Sequence, residues 1–209
     1  MNRITVLLAC AVFPAFFLVG AVDSAYAGVQ PPPGPNFNCN GTFSGQTFRN
    51  VRIQAGATCI ITNSTITGNV QGTGGDVVRI INTDITGNGV NIRDVTGSVT
   101  IGSAGCEVDP FVNNNLIVTG SNNVAICEMS IENNLVLSGN TGRLMARDNT
   151  ACNNIRIEDN DLVSLRVLNN VFTVNFDVGG NQVENRTFEE DNTRGFDGNP
   201  AQCRAAINP

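Results

Sequence analysis

The sequence predicts an all-β protein that forms a right-handed parallel β-helix of about seven coils, with a period of about 20 residues. The first observation behind this prediction is an internal repeat. Residues 61–70 return as residues 80–90, with matching Ile, Asn and Thr residues 19 positions later. The second is that apolar and polar residues alternate with a period of two, which is typical of strands that bury one face. Repeats of this length built from short strands are typical of solenoids.

The repeat extends through most of the chain. Apolar pairs such as Val51 and Ile53, or Ile155 and Ile157, predict short strands, and Gly, Asn and Asp between them predict tight turns. One Asn precedes an apolar residue in each unit, with Gly89 inserted between Asn88 and Val90, and the corresponding residues are Asn50, Asn69, Asn88, Asn115, Asn134, Asn154 and Asn170. Stacked coils would place these side chains in hydrogen-bonded ladders. An antiparallel sandwich or barrel is the alternative, but hairpins do not require the same turn residue every 19 positions.

The segment 1–27 has the composition of a secretory signal peptide. Arg3 supplies a positive start, a mostly apolar stretch follows, and Ala25-Tyr26-Ala27 is a small-x-small cleavage site. We expect cleavage before Gly28. The alternative is an uncleaved membrane anchor, because the apolar stretch is nearly long enough to span a bilayer. The segment 28–42 is rich in proline and is expected to form an extended lead-in and the N-terminal cap.

The β-helix itself is expected over residues 43–182, and residues 183–209 leave the repeat. We expect this acidic tail to cap the open end of the rod, because a solenoid without caps exposes apolar surface and strand edges. The candidate cap residues are Phe37, Phe43 and Phe48 at the start, and Phe188 and Phe196 at the end. The turn-rich segment 102–110 falls in a longer step of the repeat and predicts a protruding loop.

Cysteine usage predicts disulfide bonds. Six cysteines remain after removal of the signal: Cys39, Cys59, Cys106, Cys127, Cys152 and Cys203. An even number in an exported chain is typical of disulfides, although six cysteines allow 15 pairings. The separations between Cys39 and Cys59 and between Cys106 and Cys127 are each about one coil, so each pair can lie on adjacent coils. The remaining pair, Cys152 and Cys203, would then tie the tail to the rod. A metal site is a poor alternative without CxxC motifs or His.

The repeat pattern apolar-x-Gly/Asn-Asn-apolar-x-apolar, together with Gly56-Ala57-Thr58-Cys59, resembles the secreted right-handed β-helix repeat proteins of bacteria. These proteins belong to the pectate-lyase-like fold group. The resemblance covers about residues 43–182 and implies the fold. It does not imply one activity, because this fold group contains lyases, hydrolases, adhesins and proteins without known activity.

Composition excludes several functions. The chain has no His, no Trp and no Lys, and its only Tyr, Tyr26, lies in the signal. Without His, Ser-His-Asp and Cys-His catalysis are impossible. Without Trp and Tyr, the flat aromatic platforms common at sugar and protein sites are missing. The net charge of −6 argues against nucleic acids and anionic surfaces, including acidic polysaccharides, as main ligands.

One acidic cluster is the best candidate for chemistry. Asp148, Glu158, Asp159 and Asp161 supply oxygen ligands of the kind that bind Ca²⁺, and no other cofactor is expected. A lyase-like site would combine such a cluster with an Arg base, and the candidate catalytic residues are then Asp159, Asp161, Arg156 and Arg166. The competing interpretation is a solvated acidic corner that pairs with neighbouring Arg residues.

Two shorter motifs are better explained by the scaffold. Asn82-Thr83-Asp84 matches a motif of β-helix polysaccharide hydrolases, but it also matches the repeat turn Asn63-Ser64-Thr65. Thr65, Thr67 and Thr86 suggest the flat threonine array of ice-binding β-helices, but the array ends after two coils.

The sequence therefore predicts an exported, non-enzymatic β-helix module with a structural or adhesion-type binding role in the cell envelope or extracellular space. Carbohydrates and other surface proteins are the expected partners, without nucleic acid and without membrane attachment after signal cleavage. The alternative is a minimal polysaccharide lyase or hydrolase that uses the acidic cluster.

Overall fold

The computed structural model describes residues 36–103 and 109–207. Within these residues the chain forms 24 strands in three parallel sheets of eight strands each, followed by one short 3-10 turn and one α-helix. Each coil contributes one strand to each sheet. The first strand of every coil belongs to sheet A, the second to sheet B and the third to sheet C. Neighbours in every sheet are the equivalent strands of successive coils. The predicted parallel β-helix is confirmed, with eight strand layers and seven stacking steps.

The first four coils contain twelve strands. Coil 1 contains β1 (Phe37–Cys39), β2 (Gly41–Ser44) and β3 (Thr47–Phe48), and coil 2 contains β4 (Val51–Ile53), β5 (Thr58–Thr62) and β6 (Thr65–Ile66). Coil 3 contains β7 (Val70–Thr73), β8 (Val77–Ile81) and β9 (Asp84–Ile85), and coil 4 contains β10 (Gly89–Arg93), β11 (Ser98–Gly102) and β12 (Phe111–Val112).

The last four coils follow the same order. Coil 5 contains β13 (Asn115–Thr119), β14 (Asn122–Cys127) and β15 (Ser130–Ile131), and coil 6 contains β16 (Leu135–Ser138), β17 (Thr141–Arg147) and β18 (Thr150–Ala151). Coil 7 contains β19 (Ile155–Glu158), β20 (Asp161–Leu168) and β21 (Val171–Phe172), and coil 8 contains β22 (Phe176–Asp177), β23 (Gln182–Glu190) and β24 (Thr193–Arg194).

In-register columns of branched apolar side chains form the core. Because side chains alternate between the two faces of a strand, every second residue points inward and meets its counterpart in the next coil. One such column in sheet A consists of Val51, Val70, Val90, Leu116, Leu135 and Ile155, each at most 2% exposed. The period-two alternation seen in the sequence is therefore the inward and outward alternation of these sheets.

Many corners of the rod use a residue in the left-handed conformation, and an inward polar residue often follows it. Gly, Asn and Asp tolerate positive φ better than other residues, which explains why they recur between the strands. The left-handed corner residues include Asn63, Asn82, Asp94, Gly120, Gly139, Asp148, Asp159, Asn169, Gly180 and Asp191. The next residue is often buried, as are Ser64, Thr83, Ser121, Asn140, Asn149, Asn160 and Asn170.

Three hydrogen-bonded side-chain ladders run along the corners. Ladder CA, before sheet A, contains Asn50, Asn69 and Asn88, and then Asn115, Asn134, Asn154 and Asn175. Ladder AB, between sheets A and B, contains Ser121, Asn140, Asn160 and Asn181. Ladder BC, between sheets B and C, contains Asn149, Asn170 and Asn192. Asn170 therefore belongs to ladder BC, and the prediction that it continues the series of Asn154 was wrong because that coil is longer.

The N-terminal end begins earlier than predicted. Sheet A starts with Phe37, and not at residue 43, because β1 pairs in parallel with β4 from Phe37 to Cys39. Phe37, Phe43 and Phe48 pack together, with ring centroids 4.7–6.1 Å apart. Phe48 belongs to the core, and Phe37 and Phe43 pack against it as partly buried residues at the start of the stack.

The C-terminal end differs more from the prediction. The stack continues past residue 182, because β23 and β24 extend sheets B and C to Arg194. A 3-10 turn (Phe196–Gly198) and α1 (Pro200–Ile207) follow. This helix does not cross the open end. Its Arg204 donates to the Glu132 carbonyl at 3.3 Å and to the Asn133 Oδ1 at 2.7 Å, so α1 runs back along the side of the rod to coil 5.

Polar residues replace apolar ones at three inward positions of coil 8, whereas Phe176 and Val183 continue the apolar columns. Thr187 and Glu189 stand in register with the buried Leu165 and Val167, and Arg194 stands in register with Phe172. All three polar residues are exposed. In sheets B and C, the last layer therefore ends these apolar columns with exposed polar side chains.

Two of the predicted disulfides are present. Cys39 and Cys59 bond across the interior between coils 1 and 2, with a Cα–Cα distance of 5.3 Å. Cys152, beside coil 6, bonds to Cys203 in α1 at the same Cα–Cα distance, which ties the tail to the rod as expected. Cys106 lies outside the described residues, so its bond to Cys127 remains a prediction. The same holds for the signal peptide and most of the lead-in, and for residues 104–108 of the predicted loop between β11 and β12.

Candidate functional site

The outer face of sheet A carries a groove among the described residues. It lies along coils 2 and 3, reaches Asn36 before β1, and has a volume of about 700 Å³. A smaller hollow of about 150 Å³ continues it toward coil 5, and the two share Asn69 and Gln71. Together they form one elongated surface along the axis of the rod, which we call the sheet A groove.

The floor of the groove is an outward-facing column of sheet A. Arg52, Gln71 and Asn91 occupy equivalent positions in successive coils, and Ile117 follows in the next. These residues point outward because their neighbours, such as Val51 and Ile53, are buried in the core. The in-register stacking places the polar ends of the floor at the spacing of the strands, about 4.8 Å.

One wall of the groove is the beginning of ladder CA. The backbone N–H of Asn69 donates to the Asn50 Oδ1 at 3.0 Å, and that of Asn88 donates to the Asn69 Oδ1 at 3.1 Å. These bonds fix each amide group relative to the coil above and below. The opposite wall is formed by Gln54, Ala55 and Thr73. The groove is thus held in shape by backbone pairing and by a side-chain ladder.

The chemistry of the groove is polar and almost uncharged. Arg52 is the only charged residue among those described residues that line the groove and its continuation. Amide side chains offer both hydrogen-bond donors and acceptors, and a guanidinium offers several donors. Such a surface matches a ligand with many hydroxyl groups better than an ion or an apolar molecule. The described residues that line the groove include no acid–base pair.

The predicted acidic cluster is divided among different faces of the rod. Glu158 forms an ion pair with Arg156 on the outer face of sheet A. Asp159 is the left-handed corner residue between β19 and β20, and Asp161 is exposed at the start of β20. Arg166 lies on the outer face of sheet B, where its guanidinium carbon is 5.6 Å from the centre of the Phe188 ring.

Asp148 lies at a different corner from the other proposed Ca²⁺ ligands. It follows β17 between sheets B and C, and it forms an ion pair with Arg147 at 2.9 Å. Asp159, by contrast, lies between sheets A and B. Within residues 36–103 and 109–207, no group of three or more His, Cys, Asp or Glu residues is placed to hold a metal ion.

The two shorter motifs have structural roles. Thr83 is buried, and its Oγ1 accepts a hydrogen bond from the Ser64 backbone N–H at 3.3 Å. The Asp84 Oδ1 accepts the Phe111 N–H at 3.0 Å, which fixes the entry of the next strand of sheet C. Thr65 lies on sheet C in register with Asp84, so a charged residue interrupts the threonine column after two coils.

Sequence reasoning missed the sheet A groove. The available signal was the polar column itself, because Arg52, Gln71 and Asn91 each stand between two inward apolar or glycine positions. A polar residue at an outward position of a strand is usual, however, and carries no sign of concavity. Only the arrangement of the coils shows that these residues share a groove.

Comparisons with protein-family models, with curated proteins and with solved structures found no match to this chain. The resemblance to the pectate-lyase-like fold group therefore stays a prediction from sequence. In the part of the chain that the structure describes, no helix has both the length and the apolar character needed to span a bilayer.

Proposed function

We propose that the protein is an exported, non-enzymatic binding module of the adhesion type, and that its sheet A groove binds a neutral, hydroxyl-rich glycan in the cell envelope or extracellular space. The observation that carries this proposal is the groove itself, which is elongated and lined by amide groups. Two disulfides and the signal-like segment 1–27 support export, because disulfides persist in oxidising compartments.

The geometry supports a linear polymer. The floor residues recur at strand spacing, so one polymer can contact Arg52, Gln71 and Asn91 at successive points along the rod axis. Each contact to a neutral group contributes about 1 kcal/mol, and affinity comes from their number. Because aromatic platforms are absent from the sequence after Tyr26 except for Phe, hydrogen bonding carries the recognition.

The test is a binding screen of the purified protein against neutral polysaccharides, with Gln71→Ala and Arg52→Ala as groove variants. We expect each variant to weaken binding by about fivefold or more. Arg79→Ala is the matched control, because Arg79 faces outward on sheet B in coil 3 and its loss changes the net charge as Arg52→Ala does. An equal loss of affinity in the control, or an unchanged affinity in both groove variants, would refute the assignment.

The same samples test the non-enzymatic assignment. After incubation with neutral and acidic polysaccharides, with and without Ca²⁺, we expect no unsaturated and no reducing products. Product formation would overturn the assignment. Loss of those products in Asp159→Ala or Asp161→Ala would then identify the acidic residues between β19 and β20 as catalytic.

A further inference from the structure

We propose that the outer face of sheet B in coils 6 and 7 is an anion-binding surface that takes the sulfate or phosphate ester groups of an extracellular glycan. We call this face, formed by the outward residues of β17 and β20, the arginine face. It lies on a different sheet from the groove described above, and the proposal goes beyond the function assigned to that groove.

Three arginines surround one methionine on this face. Arg143, Met145 and Arg147 are the outward residues of β17, because Leu144 and Ala146 between them are buried. In the next coil, Arg166 stands directly beside Met145 in the strand register. Arg143 and Arg166 are therefore diagonal neighbours, whose Cβ atoms lie about 7–8 Å apart in such a pair. Two guanidinium groups at this separation can reach one oxyanion together.

Charge pairing inside the chain leaves two of these arginines available. Arg147 forms ion pairs with Glu128 at 3.3 Å and with Asp148 at 2.9 Å. Among the described residues, Arg143 and Arg166 have no carboxylate within ion-pair distance. The Nε of Arg166 is buried and has no hydrogen-bond partner there. That atom is closed to solvent, so a bound oxyanion would instead accept hydrogen bonds from the terminal guanidinium nitrogens, which have no carboxylate partner within ion-pair distance.

Arg166 is also held in place before any ligand binds. Its guanidinium packs over the ring of Phe188, which stands in register with it in coil 8. Such packing leaves the edge of the planar guanidinium open, and the N–H donors lie along that edge. The order of the side chain reduces the entropy lost on binding.

The shape of the face indicates the class of ligand. The outward positions from Arg143 to Arg147 cover about 13 Å along the strand, and the neighbouring strand adds about 5 Å across it. This charged area is far smaller than the roughly 800 Å² that each partner buries in a standard protein interface. A narrow row of charges on a flat sheet suits a linear polymer with spaced oxyanions. Sulfate and phosphate esters offer the three-oxygen groups that arginine forks match.

The net charge of −6 does not exclude this ligand. Salt screens charges beyond about 8 Å at physiological ionic strength, so the local arrangement decides which ions bind at a surface. Of the acidic residues of sheet B in these coils, Asp161 begins β20, and Glu184, Glu189 and Glu190 lie on β23 in the next coil, so none stands between the outward arginines of β17 and β20. The expectation that acidic polysaccharides are excluded, drawn from total charge, does not apply to this face.

The experiment compares polymers that share one backbone. The purified full chain is titrated with dextran, dextran sulfate and dextran phosphate at several salt concentrations, and the dissociation constants are measured by calorimetry. We expect at least one ester to bind more tightly than neutral dextran and to weaken with salt, whereas any binding of dextran in the sheet A groove should not depend on salt. The ester that binds more tightly identifies the source of the oxyanion. Tighter binding of polygalacturonate than of both esters would overturn the assignment to esters.

Variants locate the site. We expect Arg143→Ala combined with Arg166→Ala to weaken ester binding at least tenfold, and the double Lys variant to lie between it and the wild type. Arg79→Ala is again the control, since Arg79 occupies the same outward column as Arg166 in coil 3, and we expect less than a twofold effect. Unchanged binding in the double variant, or an equal loss in the control, would overturn the proposal. The exposed Arg143→Gln single variant provides the test if the double variant does not fold.

Discussion

The Oδ1 of Asn160 accepts two hydrogen bonds from Asn140 in the preceding coil, one from its backbone N–H at 2.8 Å and one from its Nδ2 at 3.1 Å. Asn160 in turn donates from its own Nδ2 to the Leu137 carbonyl at 3.1 Å. Both Asn side chains are buried. The side-chain amide of Asn160 thus pairs with donors of Asn140 and with the Leu137 carbonyl. Asn160 and Asn181 repeat this arrangement one coil later in ladder AB.

Asn160→Ala should lower the free energy of unfolding by about 3 kcal/mol, because it leaves two donors of Asn140 buried without acceptors. The matched control is Asn134→Ala in ladder CA. The Asn134 Oδ1 accepts an equivalent pair of bonds from Asn154, but this ladder is only partly buried. Water can replace the lost acceptor there, so we expect about 1 kcal/mol. Urea unfolding followed by circular dichroism measures both, and equal losses would contradict a special role for the buried ladder.

Asp159 tests the left-handed corners. Its φ is 56°, so Asp159→Gly should be neutral or slightly stabilising, whereas Asp159→Val should destabilise the fold by about 1–2 kcal/mol. Thermal unfolding of the two variants gives the comparison. If valine were tolerated as well as glycine, the corner conformation would not be what selects the residue here.

Gly87 tests the close approach of successive coils. A Cβ atom at this position would overlap the backbone of Gly68 in the coil before, including its carbonyl oxygen. Gly87→Ala should therefore cost about 2 kcal/mol in unfolding free energy. Gly179→Ala is the control, because a Cβ there meets only the end of the Asp177 side chain at 3.2 Å. The outcome that contradicts this account is an equal effect of both substitutions.

The two disulfides should act on different parts of the molecule. Cys203→Ser should release α1 and expose it to proteases while the rod stays folded, because α1 lies on the side of the stack and not within it. The joint Cys39→Ser and Cys59→Ser variant should lower the stability of the whole rod by about 3 kcal/mol. Limited proteolysis and thermal unfolding distinguish these results. A cooperative loss of the whole rod in Cys203→Ser would contradict a local role.

The cysteine spacing makes a prediction that peptide mapping can settle. Cys106 and Cys127 are about one coil apart, as are the bonded Cys39 and Cys59. Mass spectrometry of peptides from protein purified under oxidising conditions should find Cys106 linked to Cys127. Detection of either residue as a free thiol, or in another pair, would show that spacing alone is not sufficient.

The fold was predictable because its signal is repeated. Every coil buries the same inward positions. Equivalent residues such as Ile61 and Ile80 therefore have the same buried environment, and the sequence pattern recurs in each coil. The ends were less predictable because they break the repeat. The continuation of sheet B to Glu190 could not be inferred, since Glu189 takes a position that is apolar in the coils before it.

The binding surfaces were harder to predict for a different reason. Arg143 and Arg166 lie on successive coils, and their proximity depends on a register shift between Gly142 and Arg143 in the pairing of β17 with β20. One residue more or less at this register shift would turn the side chains that follow it toward the opposite face of the strand. The acidic cluster looked compact in the sequence, but the corner at Asp159 directs its members to two sheets.

The polar residues at the inward positions of coil 8 also limit assembly. A rod of parallel coils offers unpaired strand edges on which another molecule could continue the stack, and such growth would give fibres. If a second molecule docked its apolar end on coil 8, Glu189 and Arg194 would lose their hydration and face apolar side chains. Desolvation of charge opposes that step strongly. The exposed Glu189 and Arg194 therefore oppose fibre growth at this face.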